Sequence, residues 1–590
     1  MPEMTLQQAM ELAVQQHQAG QFAQAEQIYR QVLNHAPDHP DAMHLLGLLS
    51  LHTGRTDAAL DLIGRAAAKH PQVADFQYNL GLAQLVAGQP EPAINSFRRA
   101  IEIQPKMAEA YANLAAALIA TQRFDEAVAA CRQSLAIQPN NPDTLNTLAV
   151  ALKDRGRVDE AIEALNQALN LRPDFAEALT NLGNAYQNKK QLAKAIEIHH
   201  RAVAARPDMP EAHNNLGRAL DDDYQYEQAI AEFRRALELR PDYSEAQCSL
   251  AGTLHRIGKF DEARHASEKA IAQWPDSPIP RFNLALMMLL QGRFEQGWAL
   301  HEARWQVPEL RLAQPEYDHP RWQGEDLRGK TLLIYAEQGY GDVIQFSRYA
   351  PLAAQRGATV ILECQPELKR LMASLKGISQ IITRPDAPFE YDFQCPIVSL
   401  PLGFKTTLET IPANVPYLHA DHELVSRWRK QMPQQSDKIK IGLSWAGRPT
   451  HTNDRNRTIE LATLAPFARV PNTWFCALQK GDALAQLKSL PEGFEVVDFS
   501  DDLTDFAETA ALIENLDLVI SIDTAAAHLA GALGKPVWVL LPFVPDWRWM
   551  LDRSDSPWYP TMRLFRQPRA KDWESVIRSV KDALNNFELK

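Results

Sequence analysis

The chain has 590 residues, of which 45% are apolar and 23% are charged, and its formal net charge is -12. That length exceeds what one hydrophobic core supports, so at least two domains are expected. The negative charge disfavours nucleic acid or an anionic membrane surface as a partner. No window approaches the roughly 18 uncharged apolar residues of a membrane-spanning helix.

Three ladders with a period of 34 residues run through the first half of the chain. The first consists of prolines, at Pro37, Pro71, Pro105, Pro139, Pro173, Pro207, Pro241 and Pro275. The second consists of small residues, at Ala13, Gly47, Gly81, Ala115, Ala149, Gly183, Gly217, Ala251 and Ala285. The third lies twelve residues behind the second, from Ala25 and Ala59 to Gly297. This pattern resembles the tetratricopeptide repeat, a helix–turn–helix unit that stacks into a superhelix.

Each repeat contains the signals that start, pack and stop two helices. Pro210 stands where a first helix begins, because a proline there loses no hydrogen bond. The small residues predict close approach of the two helices, and Pro241 prevents extension of the second helix. Nine units are predicted over residues 4–307, and the ninth caps the array because Glu309 stands where proline is due. A junction over 308–330 follows.

From Thr331 the sequence changes to short β-branched runs separated by helical stretches. Nine strands are predicted, at 331–336, 359–364, 380–384, 439–446, 474–479, 495–500, 518–523, 537–542 and 562–567. Apolar strands that alternate with helices predict parallel sheets covered on both faces. The polar stretch 429–438 separates an N-terminal lobe (331–428) from a C-terminal lobe (439–586). Two doubly wound α/β lobes of this kind would form a cleft at the carboxyl ends of their strands.

The segment 335–346, with the sequence YAEQGYGDVIQF, is the sharpest local signal in the N-terminal lobe. Gly339 and Gly341 open a tight turn between a strand and a helix, where backbone amides can approach an anion. Turn geometry alone is the alternative reason for these glycines. Asp342 follows them, and a carboxylate at the mouth of the cleft could take a proton from an acceptor hydroxyl.

A second signal lies in the C-terminal lobe, in the complete strand–helix–strand crossing 521–541. Asp523 ends the strand, and Thr524 is predicted to cap the helix whose first amides would hold an anion. His528, about one turn into that helix, would point towards the same end. The alternative for His528 is a hydrogen-bonded packing role.

Polar residues at two further strand ends are predicted to line the same cleft. The loop 444–458 contains Arg448 and Arg457, and guanidinium groups suit a diphosphate leaving group. Gln479 and Lys480 end the strand at 474–479. Solvated surface arginines are the alternative for the loop. The aromatic run 545–560 is predicted to pack between the lobes, with a wall of the cleft as the alternative.

Five sequence blocks in the second half resemble the heptosyltransferase-type glycosyltransferases of family 9. They are EQGYGDVIQFSRY, CPIVSLPLGFKTTLETIPANVPYL, SWAGRPTHTNDRNRT, DTAAAHLAGALGKPVWVLLP and DWRWMLDRSDSPWYPTMRLFRQ. The resemblance implies a GT-B fold, inverting transfer without a metal ion, no cofactor, and a nucleotide-sugar substrate bound mostly by the C-terminal lobe.

The same resemblance assigns roles to individual residues. Asp342 matches the proposed general base, and Asp523, Thr524 and His528 match the donor-phosphate motif. Ala525 stands where the family usually has glycine. The family's phosphate-binding lysine has no clear counterpart, and either Arg457 or Arg448 takes its place.

The order of repeats followed by a GT-B half also resembles the protein O-GlcNAc transferases. In those proteins, asparagines at one repeat position hold an extended peptide. The corresponding peptide-binding candidates here are Asn79, Asn113, Asn181, Asn215 and Asn283. An amide both donates and accepts hydrogen bonds, which suits a peptide backbone, although packing is the alternative reason for these asparagines.

The expected function is therefore transfer of a sugar to a protein docked by the repeats, with bacterial flagellin or another surface protein as the acceptor by resemblance. Transfer to lipopolysaccharide or another glycan is one alternative, and a non-catalytic protein-binding scaffold is another. Five widely spaced cysteines form neither a disulfide framework nor a metal site, which favours the cytoplasm. A homodimer is compatible with the repeats. The sugar, the nucleotide and the acceptor are not determined by the sequence.

Overall fold

A computed structural model of the chain describes residues 4–312, 315, 317–383, 390–433, 438–450 and 453–588. The chain forms two compact units, Met1–Ala246 and Gln247–Lys590. Parts of the predicted junction, of the predicted connector between the lobes and of the arginine loop (451–452) fall outside the described residues.

The described repeat residues form eighteen α-helices, two for each of the nine predicted units. The first fourteen are Leu6–Gln18 (α1), Phe22–His35 (α2), Pro40–His52 (α3), Thr56–Lys69 (α4), Ala74–Val86 (α5), Pro90–Ile103 (α6), Ala108–Ala120 (α7), Phe124–Ile137 (α8), Pro142–Asp154 (α9), Val158–Leu171 (α10), Ala176–Asn188 (α11), Leu192–Ala205 (α12), Pro210–Asp222 (α13) and Tyr226–Leu239 (α14). The last four are Ser244–Arg256 (α15), Phe260–Gln273 (α16), Pro278–Leu290 (α17) and Phe294–His301 (α18).

The proline and small-residue ladders have the structural effects that the sequence predicts. Pro210 is the first residue of α13, and Pro241 stands two residues beyond the end of α14. A Cβ atom added to Gly81 would lie 2.6 Å from the ring of Phe97, and one on Gly217 would lie 2.7 Å from Phe233. The two helices of these repeats therefore approach so closely that the ladder position has no room for a larger side chain.

In one repeat a histidine takes the place that apolar side chains occupy against the ladder glycines of other repeats. His199 on α12 lies against Gly183 and is 0% exposed. Neither of its ring nitrogens has a hydrogen-bond partner among the described residues. Burial lowers the pKa of His199 to about 4, and the nearby charge of Arg218 acts in the same direction. The folded array therefore keeps this side chain neutral.

The second half of the chain contains two separate parallel sheets. The N-terminal lobe has the strands Thr331–Tyr335 (β1), Thr359–Glu363 (β2), Ile378–Ile382 (β3) and Phe393–Pro396 (β4), in the order β3-β2-β1-β4. The C-terminal lobe has Ile439–Ser444 (β5), Thr473–Ala477 (β6), Leu518–Ile522 (β7), Val537–Leu541 (β8) and Met562–Arg566 (β9), in the order β6-β5-β7-β8-β9. In register, Leu333 pairs with Ile361, and Leu443 pairs with Ile520. The predicted fold class, helical repeats followed by an α/β domain, is confirmed.

Nine further α-helices surround these sheets in the described residues. They are Tyr340–Phe346 (α19), Ala350–Gln355 (α20), Lys369–Met372 (α21), Leu400–Gly403 (α22), His422–Gln431 (α23), Asp454–Arg457 (α24), Phe506–Glu514 (α25), Ala525–Ala532 (α26) and Trp573–Asn585 (α27). Every residue of β7 and β8 is buried, as expected for strands with helices on both faces.

The structure differs from the predicted strands in two places, where one predicted strand does not form and one strand was not predicted. The predicted strand at 495–500 pairs with β6 only through Val497, and an Asx turn between Asp498 and Ser500 ends its extended run. The sheet of the N-terminal lobe instead gains β4, which the sequence did not predict as a strand. This strand is short and contains Gln394 and Pro396, so its apolar signal is weak.

The ninth repeat buries its apolar face in the core of the α/β domain. Trp298 on α18 is 2% exposed, and its ring meets Trp547 edge-on at 5.3 Å between centroids and an angle of 88°. Its Nε1–H donates to the carbonyl of Thr406 at 3.0 Å. Leu289 and Phe294 belong to the same core. The core of the α/β domain therefore includes side chains that precede the predicted junction at residue 308.

We predict that His199→Phe raises the free energy of unfolding of the first unit by about 1–3 kcal/mol at pH 7.5, because two unsatisfied polar atoms leave the core. The wild type should also lose stability as the pH falls from 6.5 towards 4, since the unfolded chain then binds a proton that folded His199 does not bind. The variant should lack this part of the pH dependence. Urea unfolding followed by circular dichroism measures both effects.

The matched control for this prediction is His200→Phe, which changes the exposed neighbour on the same helix. Its stability at pH 7.5 should stay within about 0.5 kcal/mol of the wild type. Equal stability of His199→Phe and the wild type at both pH values would contradict the role assigned to burial of His199.

We predict that Trp298→Ala destabilises the second unit by about 3–5 kcal/mol, because it leaves a large cavity and removes the hydrogen bond to Thr406. Scanning calorimetry should show a lower transition temperature for that unit. Phe543→Ala is the control, since the Phe543 residue is 38% exposed. A transition temperature for Trp298→Ala equal to that of this control would show that the ninth repeat does not stabilise the α/β core.

Candidate functional site

The glycine loop after β1 leads directly into α19, as the sequence predicts. Gly339 is the N-cap residue of α19, and its N–H donates to Oδ2 of Asp342 at 2.9 Å. Gly341 faces α26 of the other lobe, because a Cβ atom on it would lie 3.0 Å from Cδ2 of His528. The loop therefore brings the Asp342 carboxylate to the point where the two lobes meet.

Asp342 forms an ion pair with Arg548, a residue that the sequence analysis did not single out. Nη2 of Arg548 donates to Oδ1 of Asp342. Arg548 follows β8 and lies in the 3₁₀ turn Trp547–Trp549, within the aromatic run that the sequence assigned to packing between lobes. Each oxygen of Asp342 therefore accepts one hydrogen bond and keeps a second lone pair.

The second motif lies at the carboxyl end of β7, as predicted, but Thr524 does not cap α26 with its side chain. Its hydroxyl instead bonds with Ser521 at 2.9 Å and Ser444 at 3.3 Å. The predicted capping role is therefore wrong, because two neighbouring hydroxyls compete for the same oxygen. Helix α26 begins without a side-chain cap, and amides at such a helix start can be satisfied by a bound anion.

Asp523 lies close to one histidine and one arginine. Oδ1 of Asp523 lies 3.7 Å from Nε2 of His528, and its carbonyl accepts from Nη1 of Arg457 at 2.9 Å. Burial by itself would raise the pKa of Asp523, but His528, Arg457 and Arg548 together hold that pKa below its usual range. His528 and the two arginines therefore stabilise the carboxylate form of Asp523.

Three neighbouring side chains fix the position of the His528 ring. Its Nδ1 lies 3.0 Å from the hydroxyl of Tyr559, its Nε2 faces Asp523, and its ring stacks on Trp549 at 5.2 Å. The residue is 4% exposed. This is the hydrogen-bonded packing arrangement that the sequence left open as an alternative, and contact of His528 with a donor stays a prediction.

The two candidate arginines of the loop after β5 have different surroundings. Arg457 is held by Asp454 at 3.2 Å and by the carbonyl of Asp523, which ties the loop to the motif after β7. Gly447 makes room for this pair, since a Cβ atom there would lie 2.1 Å from Oδ1 of Asp454. Arg448 is exposed. Of the two arginines, Arg457 is thus the one tied directly to the Asp523 motif.

The predicted residues after β6 also differ from one another. Gln479 is 5% exposed, and its amide accepts from the N–H groups of Trp445 and Ala446 and donates to two carbonyls, those of Ala446 and Lys480. It fixes the end of β5, so a ligand contact would have to replace one of these bonds. Nζ of Lys480 donates to the carbonyl of Ser500 at 2.6 Å.

A buried ion pair fixes the chain just before the glycine loop. Glu337 lies two residues before Gly339, its side chain is 0% exposed, and it accepts from Nη2 of Arg304 at 2.9 Å. Burial raises the pKa of Glu337 to about 7, although the charge of Arg304 opposes this effect. No sequence signal connects the two residues, because Arg304 lies in the 3₁₀ turn Glu302–Gln306 after α18, 33 residues before Glu337.

The candidate asparagines of the repeats fall into two groups. Three bond with a side chain of the preceding repeat: Asn79 with His44 at 2.8 Å, Asn113 with Tyr78 at 2.9 Å, and Asn181 with Asn146 at 2.8 Å. Within the part of the chain that the structure describes, Asn215 and Asn283 make no side-chain hydrogen bond. The side-chain amides of Asn215 and Asn283 are therefore free to bind a ligand, whereas those of the first three link neighbouring repeats.

No three His, Cys, Asp or Glu side chains of the described residues are grouped so that they could hold a metal ion. Across the same residues, every helix is too short or too polar to span a lipid bilayer.

Three family models match parts of the chain. The tetratricopeptide repeat model matches residues 198–244, 214–278 and 248–297. The model of the cilia and flagella-associated protein 70 C-terminal domain matches residues 2–216. The model of glycosyltransferase family 9 (heptosyltransferase) matches residues 468–540, a segment that contains Asp523, Thr524 and His528.

Among curated proteins, the chain is similar to Protein FlbA of Caulobacter vibrioides, with 29% identity over 335 residues. This match covers 52% of the chain and 55% of FlbA, so the chain spans about half the length of that relative.

Among solved structures, the chain is similar to several repeat proteins. A tetratricopeptide repeat protein from Parabacteroides merdae is 17% identical with a TM-score of 0.38, covering 42% of this chain and 98% of its own. Pseudomonas aeruginosa pilF is 23% identical with a TM-score of 0.31, covering 35% and 93%. MamA from Desulfovibrio magneticus is 25% identical with a TM-score of 0.27, covering 29% and 97%. Scores this low carry no functional argument.

The repeat matches and the family 9 match fall on different parts of the chain, in the order that the structure shows. The eighteen repeat helices precede the two parallel sheets, and the family 9 segment contains β6, β7, α26 and most of β8. The chain therefore joins an array of tetratricopeptide repeats to a glycosyltransferase-like domain.

Proposed function

We propose that the protein is a glycosyltransferase that moves a sugar from a nucleotide-sugar donor to a hydroxyl of a protein acceptor held by the repeats. The observation that carries this proposal is the convergence of Asp342 from one lobe with Asp523 and His528 from the other. A proton acceptor and an uncapped helix start with cationic neighbours are the two parts that such a transfer needs.

In the proposed reaction, the donor phosphates lie at the first turn of α26, where backbone amides and Arg457 neutralise negative charge. The acceptor oxygen attacks the anomeric carbon while Asp342 takes its proton. The bond from that carbon to the phosphate oxygen breaks, and the nucleotide leaves with the electron pair. A single displacement of this kind inverts the anomeric centre, and the proposal includes neither a metal ion nor a cofactor.

The acceptor side of the proposal rests on the repeats. Asn215 and Asn283 offer amides that no described side chain occupies, and each can donate to and accept from an extended backbone. Flagellin or another surface protein is the proposed acceptor. None of the five cysteines, all of which lie in described residues, forms a disulfide, so we place the reaction in the reducing cytoplasm.

A glycan acceptor is the second candidate, and the observation in its favour is the heptosyltransferase description of the matching family. The two candidates differ in what the repeats do. A protein acceptor requires the asparagine ladder for transfer, whereas a lipopolysaccharide acceptor would bind at the α/β domain and leave the ladder without effect on turnover.

We predict that the full chain binds one class of nucleotide in a calorimetric panel of UDP-, GDP-, ADP- and CMP-sugars. Asp523→Ala should weaken that binding at least about tenfold, because the loop that presents the α26 amides loses the carboxylate that faces His528 and attracts Arg457. Asp342→Asn should bind the donor normally but release nucleotide at least about 100-fold more slowly, as expected for loss of a general base.

The matched control is Asp501→Ala, an exposed carboxylate of the same lobe, which should bind the donor like the wild type. Absence of binding to every sugar nucleotide by the folded wild type would contradict the proposal and leave the scaffold alternative.

We predict that the double variant Asn215→Ala/Asn283→Ala slows sugar addition to a co-expressed surface protein by about tenfold, while donor affinity stays unchanged. Intact-mass spectrometry of flagellin and other surface proteins measures the addition. Asn170→Ala, an exposed asparagine on α10 outside the ladder, is the control. Unchanged modification in the double variant would favour the glycan acceptor.

A further inference from the structure

Arg548 is a buried cation whose hydrogen bonds reach both lobes. Its side chain is 10% exposed. Nε donates to Oε1 of Gln345 at 2.7 Å, Nη1 donates to Oδ1 of Asp546 at 2.9 Å, and Nη2 donates to Oδ1 of Asp342. Gln345 and Asp342 belong to α19 of the N-terminal lobe, while Asp546 belongs to the turn that carries Arg548. The guanidinium is therefore fixed in position and orientation.

Negatively charged side chains around Arg548 stabilise its buried guanidinium group. Asp342 and Asp546 contact the guanidinium directly, and Asp523 adds to the negative field around it. A buried cation is tolerated only when it is paired, and removal of one partner leaves the other charge uncompensated. The titratable groups near the pair from the packed elements also include His301, Glu337 and His528. Without Arg548, the carboxylate of Asp342 would face mainly negative neighbours.

The turn that holds Arg548 packs against the ninth repeat. Trp547, the residue before Arg548, meets Trp298 of α18 edge-on at 5.3 Å. Met550 lies over Gly292, where a Cβ atom would come within 2.8 Å of its Cε. Trp298 is itself fixed by its hydrogen bond to Thr406. Side chains of the last repeat thus determine where the turn lies.

We infer that Arg548 is the positioning residue of Asp342, and that the ninth repeat holds Arg548 in place. This inference rests on the proposed function. Arg548 orients the carboxylate so that a free lone pair of Asp342 meets the acceptor hydroxyl. The acceptor oxygen then bonds to the anomeric carbon, its proton moves to Asp342, and the nucleotide leaves with the electrons of the broken carbon–oxygen bond. Arg548 itself neither gains nor loses a proton.

Arg548→Gln and Arg548→Lys in the full chain test this role. The readouts are donor affinity by calorimetry and nucleotide release from UDP-, GDP-, ADP- and CMP-sugars in the presence of co-expressed flagellin. Arg548→Gln should lower kcat at least about 30-fold with donor Kd within about twofold of the wild type, because orientation is lost while the phosphate site is kept. Arg548→Lys, which keeps the charge but not the fork of hydrogen bonds, should recover part of kcat.

The matched control is Arg553→Gln, which removes an arginine of the same segment that pairs with Asp555 instead. A second variant, Trp298→Phe, keeps an aromatic ring but loosens the contact with Trp547. It should lower kcat by about threefold to tenfold without changing donor Kd. Trp538→Phe, at a buried tryptophan that packs on Phe565, is its control and should behave like the wild type.

Three outcomes overturn the inference. Weaker donor binding in Arg548→Gln with unchanged kcat would make Arg548 a donor contact. Wild-type kcat in both Arg548→Gln and Trp298→Phe would show that Asp342 needs no such support. A folded wild type that binds no nucleotide sugar and releases no nucleotide would remove the proposed function, and the inference with it. The first two outcomes leave the proposed function intact.

Discussion

The packing of the last helix pair on the α/β domain is the contact on which the second unit depends. A helix–turn–helix repeat cannot bury its apolar face alone, so every repeat needs a neighbour. In the described residues no further repeat packs on the ninth. The ninth repeat instead buries Phe294 and Trp298 in the core of the α/β domain. This explains why the ninth unit departs from the ladders, with aromatic residues in α18 and no proline where the period requires one. The residues that would end an ordinary repeat form part of a different core.

Buried arginines fix the parts of the second unit that meet around this core. Arg304 joins the segment after the ninth repeat to Glu337 at the end of β1. Arg348 of the N-terminal lobe donates to the carbonyl of Trp558 at 2.6 Å and to the hydroxyl of Tyr417 at 3.0 Å. Arg548 joins Asp342 to the turn after β8. Guanidinium suits this purpose because its planar fork of five donors satisfies several acceptors in fixed directions. The candidate base is thus supported by residues from three chain segments.

The repeats share one backbone arrangement but differ in the side chains at equivalent positions. The ladder glycines face Ile63, Phe97, His199 or Phe233, so the same space holds an apolar side chain in three repeats and an unbonded polar ring in a fourth. The asparagines vary in the same way: Asn79, Asn113 and Asn181 bond to the side chain 35 positions earlier, whereas Asn215, whose counterpart there is Thr180, does not. Periodicity therefore determines the position of these side chains, and their neighbours determine whether an amide is free to bind.

The sequence by itself determined the repeat helices, the ladder of close helix contacts, and the glycine loop and strand-end motifs of the α/β domain. These features follow from local rules, since proline stops a helix, glycine permits close approach, and the carboxyl ends of parallel strands share one edge. Local rules gave a wrong prediction in two places. A strand was predicted around Val497, where only a single bridge to β6 forms, and a helix cap was predicted for Thr524, whose hydroxyl bonds with Ser521 and Ser444.

Only the tertiary structure decided which charges meet. Asp342 and Arg548 are 206 residues apart in the chain, and no spacing rule connects them. Gln479 likewise lies close to the strand end that the sequence predicts, yet its amide is used for bonds to Trp445, Ala446 and Lys480. The physical reason is that ion pairs and buried hydrogen bonds depend on which elements the fold brings together, whereas helix periods and turn signals depend on residues that are neighbours in sequence.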